Sequence, residues 1–330
     1  MAVPPLLSVE NLTVQARRNG AWFDIVDGVS FAVSPQECLG IVGESGSGKT
    51  VSVQAVMGLF PRRSMRIAGG HIRFEGRDIA GLPEAELRKI RGREIAMVFQ
   101  DPMSSLNPVL TIGDQITETL RIHMGLARAG ARERAIELLD MVGVPYPAQR
   151  IDEYPHRLSG GMRQRVMIAL AISCGPKLLI ADEPTTALDV TVQKQILKLL
   201  DRLRRELGMS IILISHDLAV VAERAERVAV MYAGNIVEEA TAGDVFLAPR
   251  HPYTEGLVRA RPRIDADVVR LASIPGSIPD PQTPTPGCRF NPRCAEATAT
   301  CRASSPPLVE VAPGWSLRCG PRTVNMTEIA

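Results

Sequence analysis

Eight residues, Gly43-Glu44-Ser45-Gly46-Ser47-Gly48-Lys49-Thr50, constrain this 330-residue chain more than any others. They fit G-x-x-x-x-G-K-[ST] at every fixed position. The run follows the continuously apolar segment Cys38–Val42 and precedes helical periodicity over Thr50–Leu59. A glycine-rich turn between a strand and a helix can aim successive backbone N–H groups at phosphate oxygens. The helix N-terminus adds a partial positive charge. In this reading Gly43 to Gly48 cradle the phosphates, Lys49 reaches the β- and γ-phosphates, and the Thr50 hydroxyl ligates Mg²⁺.

Such a site also needs a carboxylate on the metal. Leu178-Leu179-Ile180-Ala181-Asp182 is an apolar run ending in an acid, 133 residues after Lys49, and Glu183 follows at once. Asp182 is the expected metal-side carboxylate and Glu183 the expected general base for water. Other short apolar runs, Ile95–Phe99 and Ile211–Ser215, read as strands buried on both faces. Helical spacing recurs over Gly113–His123, Ala131–Val142, Met162–Ser173 and Thr191–Leu207. Strands alternating with helices predict an α/β fold with a parallel sheet, and the G-x-x-x-x-G-K-[ST] match after a strand makes a P-loop NTPase core the expected form of it.

Composition narrows the class. Basic and acidic residues nearly cancel, 38 against 36, with no block of one sign, so no nucleic-acid arm is expected. No uncharged apolar stretch approaches the length of a membrane span, and no secretion signal opens the chain, so a cytosolic protein is expected. Twelve of the 25 prolines lie in residues 1–248 and 13 in residues 249–330, which also hold four of the six cysteines. A domain boundary is therefore expected near Pro249, followed by a small, loop-rich extension.

Leu158-Ser159-Gly160-Gly161-Met162-Arg163-Gln164-Arg165 closely resembles the signature motif of ABC-transporter ATPases. Three further elements resemble the same family: Gln100 as the Q-loop glutamine, Ala187-Leu188-Asp189 as the D-loop, and His216 as the H-loop histidine. The resemblance covers roughly residues 6–248. It implies an ABC-type nucleotide-binding domain with a helical subdomain at about 101–160, hydrolysing ATP with Mg²⁺ held by Thr50, Asp182 and Gln100. It assigns catalysis to Glu183, His216 and Gln100. It also implies a head-to-tail dimer in which Ser159, Gly160, Gly161 and Gln164 cover the γ-phosphate of the opposite subunit, with Asp189 at the seam. Adenine in this family stacks on an aromatic residue upstream of the phosphate loop, and Trp22 and Phe23 are the candidates, with a packing role equally open.

Two segments narrow the branch. Phe99-Gln100-Asp101-Pro102-Met103-Ser104-Ser105-Leu106-Asn107-Pro108 is similar to the extended Q-loop of bacterial oligopeptide and dipeptide importer ATPases. His251-Pro252-Tyr253-Thr254 is similar to the start of their C-terminal extension. The resemblance implies peptide import from the cytoplasmic face of the bacterial inner membrane. The implied partners are two permeases docking at Asp101–Thr111, a solute-binding protein, and a second ABC ATPase, a paralogue rather than a copy. Nickel, glutathione, and a soluble ABC ATPase outside transport are the alternatives. A long coiled coil does not fit between the two phosphate motifs, and a single nucleotide module argues against the translation-type members. Cys288, Cys294, Cys301 and Cys319 are expected to hold a [4Fe–4S] cluster, with zinc or no metal as alternatives, and Arg289, Arg293, Arg302 and Arg318 to favour thiolates. Cys38 and Cys174 are expected to be small buried hydrophobes.

Overall fold

A computed structural model describes residues 4–186, 188–260, 273–283 and 285–327. Strands run as β1 (Leu7–Arg18), β2 (Ala21–Val33), β3 (Cys38–Val42), β4 (Met65–Phe74), β5 (Arg77–Asp78), β6 (Ile95–Val98), β7 (Leu178–Asp182), β8 (Ser210–Ser215), β9 (Arg227–Tyr232), β10 (Asn235–Thr241), β11 (Val309–Ala312) and β12 (Trp315–Leu317). The chain divides into two compact units: Met1–Val33, Cys38–Gly81 and Ile214–Ala330 form the first, and Ser34–Glu37 and Leu82–Leu213 the second.

The first unit holds an antiparallel sheet in the order β2-β1-β4-β5. Alternation along β1, reset by a register shift between Val9 and Leu12, buries Leu7, Val9, Leu12 and Val14. A second run of strands follows the order β11-β12-β10-β9-β3. Here β3 pairs parallel with β9, Val42 opposite Val230, and all five residues of β3 are buried. Continuous burial explains why β3 reads as an unbroken apolar run. The hairpin from β9 to β10 turns through Ala233 and Gly234, both at positive φ, the geometry that matches strand twist in a two-residue turn.

The tail is more ordered than its proline content suggests. β12 pairs antiparallel with β10, Glu238 opposite Leu317, and β11 adds an outer strand. Helices Pro252–Arg259, Ala299–Ala303 and Gly320–Thr327 accompany them. Buried Trp315 anchors the hairpin: its indole N–H donates to Glu238, and the Arg250 guanidinium lies 3.7 Å from its ring centroid. One aromatic among prolines gives no periodicity to read, so these strands escape a pattern-based reading.

In the second unit β6 pairs parallel with β7, Val98 opposite Ala181, and β8 continues the order β8-β7-β6. Phe99, expected to close the β6 strand, lies past its end and is exposed. Helices Ile112–Met124 and Val190–Leu207 end at Gly125 and Gly208 in left-handed conformation. Val190–Leu207 buries Ile196, Leu197, Leu199, Leu200 and Leu203, a stripe at helical spacing. Among the described residues no helix is long and apolar enough to cross a membrane.

Candidate nucleotide site

In the first unit the phosphate loop leaves buried β3 and enters the helix Lys49–Met57. Gly43 is required here: its φ is +153°, and a Cβ would come 2.2 Å from the Met231 carbonyl oxygen. Lys49 is buried, and its Nζ donates to the Gly43 and Glu44 carbonyls at 2.8 and 3.0 Å. The ammonium thus lies inside the curl of the loop, where a phosphate could draw it off the carbonyls. Gly46 lines a cavity of about 360 Å³ with Trp22, Phe23, Asp280, Gln282 and Arg289. That volume is within the range of small-molecule sites. Both aromatic candidates therefore share one cavity with the phosphate loop, and one face of Trp22 carries the Arg66 guanidinium at 4.2 Å from the ring centroid. Exposed His216 follows β8, next to Asp217, whose carboxylate caps the short helix Leu218–Ala222.

In the second unit Asp182 ends β7 and is buried. Glu183 follows at φ +45°, a left-handed conformation that costs energy for a residue with a side chain. Its carboxylate accepts from Gln100 Nε2 at 3.3 Å and from Thr186 Oγ1 at 3.0 Å. Two residues 83 positions apart in sequence are thus brought into one hydrogen-bonded pair.

Ser159 caps the helix Gly160–Ile172, accepting from the Met162 N–H at 3.4 Å. A Cβ on Gly161 would come 2.9 Å from Val192 Cγ1, so the glycine allows close approach to the helix that follows Asp189. Asp189 caps that helix, its Oδ1 accepting from the Thr191 and Val192 N–H groups. Ala187 of the expected D-loop lies outside the described residues. Gln164, expected to face a partner's phosphate, is only 1% exposed in the single chain. One helical turn beyond Gly160, it points into the helix's packed side with its Nε2 unpartnered.

The segment Asp101–Thr111 is a shaped loop. Asp101 caps the turn Pro102–Ser105, and buried Gln115 donates to the carbonyls of Asn107, Leu110 and Thr111 while accepting from the Asn107 N–H. Met103 and Val109 are left exposed on it.

Cys288, Cys294, Cys301 and Cys319 line one small pocket with His251 and Glu296. Burial pushes the Cys288 and Cys294 thiols up and raises Cys319 to about 11. The expected thiolate-favouring arginines do not prevail. Desolvation outweighs Arg318 at Cys288, Arg289 reaches Ala233 O and Asp27, and Arg293 reaches Glu44. Among the described residues no three His, Cys, Asp or Glu side chains converge closely enough to hold a metal ion. Cys38 and Cys174 are buried, as expected.

Sequence reasoning missed Tyr253 and Arg293 as neighbours of the phosphate loop, and Gln115 as the brace of the loop before it. Tyr253 stood inside a noticed motif and Arg293 beside a noticed cysteine, but only the fold shows what they touch.

Residues 26–186 match the ABC transporter family, and residues 237–301 match the oligopeptide/dipeptide transporter C-terminal region. The chain is 57% identical over 318 residues to a Brucella abortus protein provisionally named a peptide import ATP-binding protein, covering 96% of this chain and 95% of that one. It is 52% identical to the oligopeptide transport ATP-binding protein AppD of Bacillus subtilis, covering 95% and 96%. It is also 52% identical to the dipeptide transport ATP-binding protein DppD of Escherichia coli, again covering 95% and 96%. A solved dimeric ATP-binding cassette, MJ0796, in a post-hydrolysis state with ADP and phosphate, superposes with a TM-score of 0.64 at 28% identity, covering 72% of this chain and 98% of that one. With the phosphate loop, the Gln100–Glu183 pair and the capped signature helix in place, the chain belongs to the ABC transporter ATP-binding subunits, in the branch that carries the oligopeptide/dipeptide transporter C-terminal region.

Proposed function

We propose that this ATPase powers import of di- or oligopeptides, working at the cytoplasmic face of a bacterial inner membrane. The observation that carries the ATPase chemistry is the Glu183 carboxylate, held by Gln100 and Thr186 directly after buried Asp182. Glu183 takes the proton of the attacking water. Gln100 orients that water and the metal, and His216 contacts the γ-phosphate. Lys49 and the loop Gly43–Gly48 hold the phosphates, Thr50, Asp182 and Gln100 serve Mg²⁺, and Trp22 or Phe23 stacks on adenine. Ser159, Gly160 and Gly161 act on the nucleotide of a second ABC subunit, a paralogue, with Asp189 at the seam. Peptide as solute is supported by the relatives' names and by the C-terminal region match. Two permeases dock on the braced loop Asp101–Thr111, and a solute-binding protein delivers peptide to them. Residues 1–248 are the nucleotide-binding domain and 249–330 its extension.

We read the four tail cysteines as ligands of a [4Fe–4S] cluster, with zinc or no metal as the alternatives; their number and their lining of one pocket support that reading. Such a cluster would staple a proline-rich segment and lend it redox sensitivity. Mass spectrometry of the complex extracted from native membranes tests the transport reading. Permease and solute-binding subunits should co-purify, and a chain recovered only from the soluble fraction would overturn it.

A further inference from the structure

Glu44 is the acidic residue of a phosphate loop otherwise built from Gly, Ser, Lys and Thr. A carboxylate there opposes the polyanion that the loop exists to bind. The structure shows how this residue is handled. The Glu44 carboxylate takes two hydrogen bonds from Arg293, Nη1 to Oε2 at 2.7 Å and Nη2 to Oε1 at 3.0 Å, the forked pairing that guanidinium and carboxylate favour. The Glu44 backbone N–H donates to the Tyr253 hydroxyl at 2.9 Å. Its carbonyl accepts from Lys49. The Glu44 peptide is therefore gripped at the N–H by the tail and at the C=O by the phosphate-binding lysine.

Both tail residues are rigidly held. The Arg293 side chain is 4% exposed, and it also donates to the Pro275 and Ile274 carbonyls. Tyr253 is fully buried, with its ring 4.6 Å from Tyr232 and 5.5 Å from Phe290. It starts the helix Pro252–Arg259, whose cap is His251: the Tyr253 N–H donates to His251 Nδ1 at 3.1 Å. The Arg250 and His251 N–H groups are anchored on the buried Glu238 carboxylate. A continuous set of hydrogen bonds thus runs from β10 through the His-Pro-Tyr turn to the second residue of the phosphate loop.

We propose that the C-terminal segment is a cis clamp on the phosphate loop, Arg293 cancelling the Glu44 charge and Tyr253 fixing its peptide so that the loop accepts a triphosphate. Both are positioning residues, and the proposal rests on the ATP reading given above. Without Arg293 the acid is free to repel phosphate. Without the Tyr253 hydroxyl the Glu44 peptide can turn and carry Lys49 with it.

The test is calorimetric titration of ATP with Mg²⁺ into the full-length chain. Wild type is compared with Arg293→Met, Glu44→Gln, the pair combined, and Tyr253→Phe. Arg293→Met should weaken ATP binding about tenfold, the scale of a charge-assisted pair. Glu44→Gln leaves Arg293 charged beside the loop and should tighten binding. The double variant should recover to within about threefold of wild type, which a purely structural loss could not do. The clamp is overturned by Arg293→Met binding as tightly as wild type, or by a double variant as weak as Arg293→Met alone. Should Arg293→Met not fold, Tyr253→Phe decides: in the assembled complex, a KM for ATP raised about three- to tenfold at constant kcat supports the clamp, and a wild-type KM removes it. Failure of the wild-type chain to bind ATP would sink the ATP reading instead.

Discussion

Gln100 donates from its Nε2 to the Glu183 carboxylate at 3.3 Å, joining the residues that follow two adjacent parallel strands. Strained backbone at Glu183 and two hydroxyl or amide donors on its carboxylate indicate a side chain held for use. Glu183→Gln keeps shape and hydrogen bonding but removes the base. Turnover should fall about 10²–10⁴-fold while ATP stays bound. Single-turnover hydrolysis in the assembled complex, with bound nucleotide measured separately, checks this. Normal turnover would refute the assignment.

Ser159 accepts from the Met162 N–H at 3.4 Å, a long cap that contributes about 0.5–1 kcal/mol to its helix. Ser159→Arg should therefore fold and bind ATP, while bulk and charge disrupt the partner's phosphate site. ATPase activity of this chain mixed with its paralogous ATPase subunit should be first order in each at low concentration in wild type and lost in the variant. A rate independent of both concentration and the Ser159 change would show that one subunit suffices.

The parts of this protein legible in its sequence are those where local chemistry dictates local shape. Lys49, Asp182, Glu183 and Ser159 sit at strand ends or helix starts, where burial run, glycine and cap announce the geometry. A motif gives spacing but not facing: the burial of Gln164, one turn beyond Gly160, is visible only in the fold. The β11–β12 hairpin was hidden because its register depends on Trp315 meeting Glu238, 77 residues earlier. The Glu44–Arg293 pair spans 249 residues, and no local pattern encodes it.

Gln115 makes four hydrogen bonds to the backbone of Asn107–Thr111 from a buried position. Gln115→Ala removes that brace at a cost of about 1–3 kcal/mol. If the loop is the permease dock, basal ATPase of the paired ABC subunits should survive. Stimulation by peptide-loaded binding protein in proteoliposomes should drop severalfold. Full stimulation in Gln115→Ala would separate the loop from coupling.

His251 is fully buried, and burial, with Arg322 as a smaller contribution, lowers its pKa to about 3. The Arg318 contact and Glu296 act in the opposite direction without reversing it. The folded value lies below the unfolded value of about 6.5, so the unfolded chain binds the extra proton first. Stability from this group is complete above about pH 6.5 and is lost as pH falls toward 3, by about 1.4 kcal/mol per pH unit. His251→Asn keeps a cap acceptor but cannot titrate. Urea unfolding at pH 7, 6 and 5 should show a steeper loss for wild type than for the variant. Parallel slopes would mean that the imidazole is not buried neutral.

Cys288, Cys294, Cys301 and Cys319 face one pocket; burial raises the thiols of Cys288, Cys294 and Cys319, and such thiols are inert toward oxidants unless a metal takes them as thiolates. The metal-free segment should therefore be poorly stapled, its order resting on Trp315 and the Arg293 and Arg322 ion pairs. Anaerobic purification should yield a brown protein with four irons and four sulfides per chain, on the order expected of a [4Fe–4S] cluster. Cys294→Ser should lose the colour and lower the unfolding temperature by several degrees, in line with loss of about 1–2 kcal/mol from a local staple. Cys294 adjoins Arg293, so the same variant should also raise the KM for ATP if the clamp depends on the cluster. A colourless protein whose melting is indifferent to Cys294→Ser would leave these cysteines as packing residues, with the ATPase chemistry intact.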